Sequence, residues 1–356
     1  MKITSRQRII LITLVFLLLS FLVLSAGNGA LYISPVQVVS IIFHKLGIEN
    51  IAAFDEGQYN VFWIIRFPRV LLGLLIGAAL ALSGAALQGL FRNPLADPGL
   101  IGISAGASLS AVLMIVFLST LAATPYYSVV EGLVGYYTLN IVTFIGSCIT
   151  SFIVFNVSRM NGKTNVTTML LGGIAINALC GALIGLVTYY ATDAELRNIT
   201  FWTLGSLGGA SWNTVLTILP FVLIPIVFLP RLSKDLNTLA LGEKEAAYLG
   251  VSVDRLKIQI IILSTMAVGS AVAVAGMIGF VGLVVPHVLR MMGGFNQRYI
   301  LIGSSLAGAL LLTGSDLLAR VIVAPAELPI GVITALIGTP VFAWILLKHK
   351  KESQFI

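Results

Sequence analysis

Few side chains in this sequence could do covalent or hydrolytic chemistry, and their spacing argues against most of it. Gly162-Lys163-Thr164 has the ending of a phosphate-binding loop, in which backbone amides and a lysine cradle a nucleotide's phosphates. That pattern needs a glycine at position 157, which is Val157, and a preceding strand where this chain has an apolar run. Lys163 and Arg159 therefore read as anchors at a membrane face. Cys148 and Cys180 lie inside apolar segments, away from loops that would carry a disulfide framework or a cysteine metal site. His44, His287 and His349 are scattered without metal-ligand spacing, so no metal is expected. Asp316 and Arg320 stand four apart, able to pair on one helix face. Glu327 precedes Leu328-Pro329, where an acid would balance the dipole at a helix start. No catalytic cluster emerges, and the chain itself is not expected to be an enzyme or to hold a cofactor.

These groups sit at the margins of long apolar runs. The chain has 356 residues, 58% hydrophobic and 10% charged, with a mean hydropathy of +1.02, far from the roughly 25% charged content of soluble domains. It reads as an all-α polytopic membrane protein, with runs of about 20 residues rather than the roughly 10-residue alternation of a barrel. Spans are expected at 9–30, 63–90, 99–120, 136–157, 166–190, 212–230, 258–276, 278–290, 299–318 and 329–347. Residues 1–356 form one transmembrane domain in this reading. The first run is longer than the 7 to 15 apolar residues of a signal peptide and is expected to stay as a span.

An even number of spans puts both termini on one side, and their lysines and arginines make that side cytoplasmic. Only Lys45, Arg66, Arg69, Arg197 and Arg320, of 21 basic residues, then fall outside. The net charge of +7 follows from topology, and nucleic-acid binding is not expected because no soluble basic face exists. Gly276, Gly279, Gly282 and Pro286 interrupt the eighth span, which reads as a broken helix lining a pathway.

Residues 77–84 read GAALALSG and 269–276 read GSAVAVAG; the same offset relates Pro94 to Pro286 and Gly102 to Gly294. In the span model the two copies run in opposite directions, as in transporters built from inverted repeats. Close packing of small residues in unrelated helices is the alternative. The one long cytoplasmic loop, 231–257, carries a helix-forming stretch at 243–249 between Gly242 and Gly250. It reads as a docking lever for a soluble partner or as a solvated connector, with its length favouring the former.

Arg66-Phe67-Pro68-Arg69, the small-residue run 77–89, Asn93-Pro94-Leu95-Ala96-Asp97-Pro98-Gly99, the 241–250 loop, Gly279-Phe280-Val281-Gly282 through His287, and Ala326-Glu327-Leu328-Pro329-Ile330-Gly331 appear in this order. Together they resemble the FecCD family of ABC importer permeases for iron-siderophore, haem and cobalamin. The resemblance covers nearly the whole chain. It implies a type II importer fold of ten helices, a homodimer around a central pathway in the bacterial inner membrane, two ATPase subunits inside and a periplasmic substrate-binding protein outside. ATP and Mg would be bound by the ATPase.

The resemblance assigns coupling to Leu241, Gly242, Glu243, Glu245 and Gly250, with Glu243 and Glu245 foremost. It assigns docking of the binding protein's acidic side chains to Arg66, Arg69 and Arg320, whose planar charged forks suit carboxylates; anchoring of helix ends is the alternative. Asn93 and Leu95, with Thr167 and Thr168, match cytoplasmic gate positions; local turn and cap chemistry is the alternative there. The resulting expectation is a permease worked by alternating access and driven by a partner's ATP. The competing reading is a secondary transporter driven by an ion gradient, for which Asp316 is the acid near a span that could serve.

Overall fold

Long apolar segments can satisfy their backbone groups in a bilayer only by bonding within each segment, and the chain folds accordingly. The computed structural model describes residues 3–29, 31–122, 137–160, 163–324 and 326–353. Lys2, Gly162 and the expected span limits at 30 and 136 lie outside the described residues, as do the side chains of Lys163, Lys348, Lys350 and Lys351. In chain order the helices are α1 (Ser5–Gly27), α2 (Pro35–Lys45), α3 (Glu56–Phe91), α4 (Ile103–Ala122), α5 (Thr138–Val157), α6 (Val166–Tyr190) and α7 (Asp193–Leu204). They continue as α8 (Trp212–Leu239), α9 (Glu243–Tyr248), α10 (Val253–Ala275), α11 (Val281–Gly293), α12 (Gln297–Val321) and α13 (Ile330–Ser353). Eight of these are long and apolar enough to cross a membrane among the described residues, and the apolar parts of α11 and α13 are shorter. All ten expected spans correspond to helices. Among the described residues one hairpin pairs β1 (Arg159–Met160) with β2 (Lys163–Thr164).

Helix α3 is the buried axis of the bundle. It packs against α8, α10, α11 and α12, and from Leu75 to Phe91 its residues are all buried. Small residues permit this. A Cβ on Gly77 would stand 2.3 Å from the Gly308 carbonyl oxygen, and one on Gly84 only 1.9 Å from that of Gly282. Backbones this close replace side-chain packing where lipid supplies no hydrophobic drive between helices. A second tight crossing joins α4 to α5, where Thr150 donates to the Gly102 carbonyl at 2.8 Å.

The second span begins earlier than expected, at Glu56, with Asp55 accepting from the Gln58 amide at 2.6 Å. Its 61–66 stretch is a π turn in which the Phe67 amide donates to the Phe62 carbonyl. The next acceptor in that pattern, the Trp63 carbonyl, would need an N–H from Pro68, which has none. The indole of Trp212 donates to it instead at 2.8 Å.

One other boundary is corrected. The helix of the sixth span does not stop at 230 but continues through a 3₁₀ turn, Leu229–Leu232, into the 231–257 loop as far as Leu239, where Ser233, Leu236 and Leu239 are buried. Short helices α2 and α7 were not expected; α2 contributes Val38 and Ile41 to a small outer core with Ile33, Phe62 and Val70. The eighth span is broken as expected. Residues 276–279 are irregular, Phe280 takes a left-handed conformation with φ 67, and α11 starts at Val281. The repeated segments 77–84 and 269–276 fall in α3 and α10, which pack together. At the same offset Pro94 lies in a turn and Pro286 inside α11, so the halves correspond by helix order rather than residue register.

Replacing Gly84 by Val should force α3 from α11 and lower stability by about 1–3 kcal/mol, as overpacking does. Gly181→Ala, on the exposed face of α6 with nothing within 4 Å, should be neutral. Thermal unfolding of the two purified variants in detergent distinguishes them, and equal melting would contradict the axis assignment.

Candidate functional site

Two groups of charged and polar side chains lie at the two ends of α3. At the outer end, Arg69 donates from its Nε to Asp316 Oδ1 at 2.9 Å and from its fork to both oxygens of Glu327 at 2.8 and 2.9 Å. Arg320 donates to Asp316 Oδ2 at 3.0 Å, which realises the four-residue pairing along α12. Asp316 is therefore a buried carboxylate held between two arginines. Such a pair of charge-assisted bonds is what lets an ion remain buried.

Arg320 and Arg66 also terminate α1. Arg320 reaches the carbonyls of Ser25 and Asn28, each at 3.1 Å, and Ser25 Oγ at 2.8 Å. Arg66 donates to the carbonyls of Ala26 at 3.0 Å and Gly27 at 2.8 Å and to that of Leu31. Those of Ser25, Ala26 and Gly27 belong to the last turn of α1, where carbonyls lack intrahelical partners and cations are favoured. Arg66 is 5% exposed, so its guanidinium faces inward. The most open member of the cluster is Glu327, with 45% of its side chain exposed against 11% for Arg69. Hydrogen bonding from Arg69 holds the Glu327 carboxyl below the usual glutamate range, against the opposing effect of partial burial.

At the inner end, the turn after α3 is built by Asn93, whose Oδ1 accepts from the Leu95 amide at 2.9 Å. Arg92 precedes it in a left-handed conformation, φ 50. The second turn is the β1–β2 hairpin leading into α6, whose start is capped by Asn165 Oδ1 accepting from the Thr168 amide at 3.1 Å. A polar cavity of about 500 Å³ lies between these turns, lined by Arg92, Asn93, Asn165, Thr167 and Glu243 among others. Asn93, Thr167 and Glu243, distant in sequence, thus face one space. Leu95 is adjacent and 43% exposed, and Thr168 serves the cap; neither lines the cavity.

Sequence reasoning missed the residue that links these parts. The Lys257 ammonium bonds Glu243 Oε2 at 2.8 Å and the Thr164 carbonyl at 2.7 Å, with only 2% of its side chain exposed. Lysine at a span start ordinarily reads as a topology anchor; the available signal was an acid at 243 with no basic partner on its own short helix face. Helix α9 itself begins after Gly242, φ 137, and ends before Gly250, φ 86. Leu241, Tyr248 and Leu249 around it are 67%, 90% and 66% exposed, an apolar surface outside the membrane segments. Glu245 is exposed on the same helix.

A smaller cleft of about 280 Å³ in the middle of the subunit is lined by Leu80, Asp97, Ser104, Asn177, Met277 and Gly282, among others, and so includes the irregular stretch before α11. Below it Gln88 donates to the carbonyls of Gly282 and Leu283 and accepts from Arg290. Among the described residues no group of three or more His, Cys, Asp or Glu could hold a metal ion.

Comparison with known proteins places this arrangement. The chain is 43% identical over 337 residues to the hemin transport system permease protein HmuU of Yersinia pestis, covering 95% of this chain and 96% of that one. It is 38% identical to the vitamin B12 import system permease protein BtuC of Vibrio vulnificus, covering 96% and 94%. A solved structure described as an inward-facing conformation of a metal-chelate type ABC transporter superposes with a TM-score of 0.80 at 34% identity, over 95% of this chain and 99% of that one. The profile of the FecCD transport family matches residues 14–348, and with the fold and these relatives in agreement, the chain belongs to that family.

Proposed function

We propose that two copies of this chain enclose a pathway for a metal chelate, haem or cobalamin-type substrate. A periplasmic binding protein would deliver it, and two ATPase subunits would drive its passage through the bacterial inner membrane. Family membership makes the chain the permease subunit of an ABC importer, with ATP hydrolysis on a separate subunit. The substrate class rests on the relatives' names, hemin and vitamin B12 among them. The basic residues at both termini support a cytoplasmic location for each. Residues 1–356 act as one permease domain, with 231–257 as its coupling loop.

The observation that carries the mechanism is the Lys257 bridge. Leu241, Gly242, Glu243, Glu245 and Gly250 shape the coupling element, and its exposed Leu241, Tyr248 and Leu249 offer the ATPase an apolar contact. Any displacement of α9 pulls, through Glu243 and Lys257, on the carbonyl of Thr164. That residue stands three before Thr167, so the pull reaches the gate formed by Asn93, Leu95, Thr167 and Thr168. ATP shifts the gate only as far as it binds one conformer more tightly than the other.

At the outer end, Arg69 is the docking residue most exposed to a partner's carboxylate, with Glu327 occupying its fork meanwhile. Arg66 and Arg320 support the docking surface from behind by fixing the end of α1. The gradient-driven alternative loses its acid, since Asp316 is bonded by two arginines.

Lys257→Met should leave ATP hydrolysis by the reconstituted complex intact while transport falls about tenfold or more, with Lys257→Arg restoring part of it. Normal transport by Lys257→Met would remove the bridge from the mechanism. Arg69→Gln should weaken docking of the binding protein by a factor of about 10 or more, consistent with loss of a charged pair. Glu327→Gln should strengthen docking by freeing the fork. Because the folded Glu327 carboxyl titrates below its unfolded value of about 4.3, its bridge is complete above that value and is lost as pH falls through the depressed one. Docking titrations at neutral and acidic pH test this, and a pH response retained in Glu327→Gln would contradict it.

A further inference from the structure

Outside the gate and docking regions, an apolar groove of about 620 Å³ lies between α5 and α10. Its walls include Phe144, Cys148, Phe152 and Phe155 from α5 and Ile258 and Ile262 from α10, with almost no polar surface. The polar atoms beneath are already satisfied: Ser151 Oγ and Thr265 Oγ1 share a hydrogen bond of 2.8 Å across the two helices. Nothing in the groove asks for a polar occupant.

The chemistry changes at one end. Arg159 follows α5 by two residues, and its guanidinium lies 5.8 Å from the Phe155 ring centroid. On α10, Arg255 precedes Ile258 by three residues and Ile262 by seven, which puts all three on one helix face. The two walls end at the same level, because the Thr164 amide opposite Arg159 in the hairpin donates to Asp254 Oδ1 at 3.2 Å. Arg159 and Arg255 are exposed and belong to none of the salt bridges among the described residues. Asp254, the nearest acid in sequence, is engaged by the Thr164 amide.

Length identifies the occupant. From Phe144 to Phe155, α5 rises about 16 Å at 1.5 Å per residue, close to half of the roughly 30 Å hydrocarbon core. A slot one leaflet deep and apolar throughout, with Arg159 at the Phe155 ring and Arg255 one helical turn before Ile258 at its α9 side, matches one lipid in length and charge. We infer that this groove is a binding site for an anionic phospholipid of the cytoplasmic leaflet, its acyl chain between α5 and α10 and its phosphate at Arg159 and Arg255. Juxtamembrane arginines attract such headgroups. The site holds the outer faces of both helices that position the β1–β2 hairpin and Lys257.

The test is native mass spectrometry of the full-length permease in its complex, after exchange into nanodiscs of equal phosphatidylglycerol and phosphatidylcholine and release from them. The wild-type chain should retain one phosphatidylglycerol per copy in preference to phosphatidylcholine. Arg159→Gln with Arg255→Gln should reduce that preference roughly 30-fold, as expected from about 1 kcal/mol for each arginine near the surface. Ile262→Trp, which fills the groove, should displace both lipids; Cys148→Phe does the same from the other wall if that variant misfolds. Equal retention of the two lipids by wild type, or unchanged preference in the double variant, would overturn the proposal. So would a Cys148–Cys148 crosslink between copies in native membranes, which would make the groove a protein interface.

Discussion

The contact on which the rest depends is the near touching of backbones where α3 crosses α12 and α11. Gly77 meets Gly308 there, and Gly84 lies so close to the Gly282 carbonyl that no side chain fits between them. Lipid tails give apolar helices no reason to associate, so a bundle in a membrane is held by dispersion contacts and buried hydrogen bonds, both of which need short distances. Because α3 is fixed along its length, the groups at its two ends are fixed as well. Arg69 and Asn93 are 24 residues apart on and just beyond one helix, about 36 Å at 1.5 Å per residue. The charge cluster around Arg69 and the polar cavity beside Asn93 lie at the two ends of one rod.

Buried charge in the membrane segments is used sparingly and in company. Asp316 joins Arg69 and Arg320, Arg290 joins Gln88, and Lys257 joins Glu243 with a backbone carbonyl. An isolated charge at these depths would cost several kcal/mol, and each of these is offset by a partner on a different helix or loop. The same bonds tie elements that are far apart in sequence: α1 to α12, α3 to α11, α9 to the hairpin ahead of α6. The buried polar residues of this permease therefore link elements distant in sequence, consistent with an importer subunit whose ATP hydrolysis lies on another chain.

Much of this was legible in the sequence because the bilayer imposes length and polarity on every span. The broken eighth span was readable from Gly276, Gly279 and Gly282, and the short helix at 243–249 from its flanking glycines. The extension of the sixth span to Leu239 was hidden, since Ser233, Lys234, Asp235 and Asn237 look like a loop until the burial of Leu236 and Leu239 is known. The charge cluster was only half visible. Spacing gave the Asp316–Arg320 pair, whereas the partnership of Arg69 with Glu327 spans 258 residues and leaves no local pattern. Lys257 was hidden for the same reason, its partners at 164 and 243 lying on separate elements.

The proposed coupling requires that α9 and the hairpin before α6 move as one body through the Lys257 bridge. The direct measurement is pulsed electron paramagnetic resonance on the reconstituted complex with its ATPase. Spin labels would replace Tyr248 and Thr167, with Cys148 and Cys180 changed to serine, and distances would be recorded with and without ATP. A rigid bridge gives an unchanged distance from 248 to 167 within a subunit and a changed distance between the two 167 positions across the dimer. A shift of the first distance as the gate opens would contradict it, because α9 would then slide past the gate without carrying it.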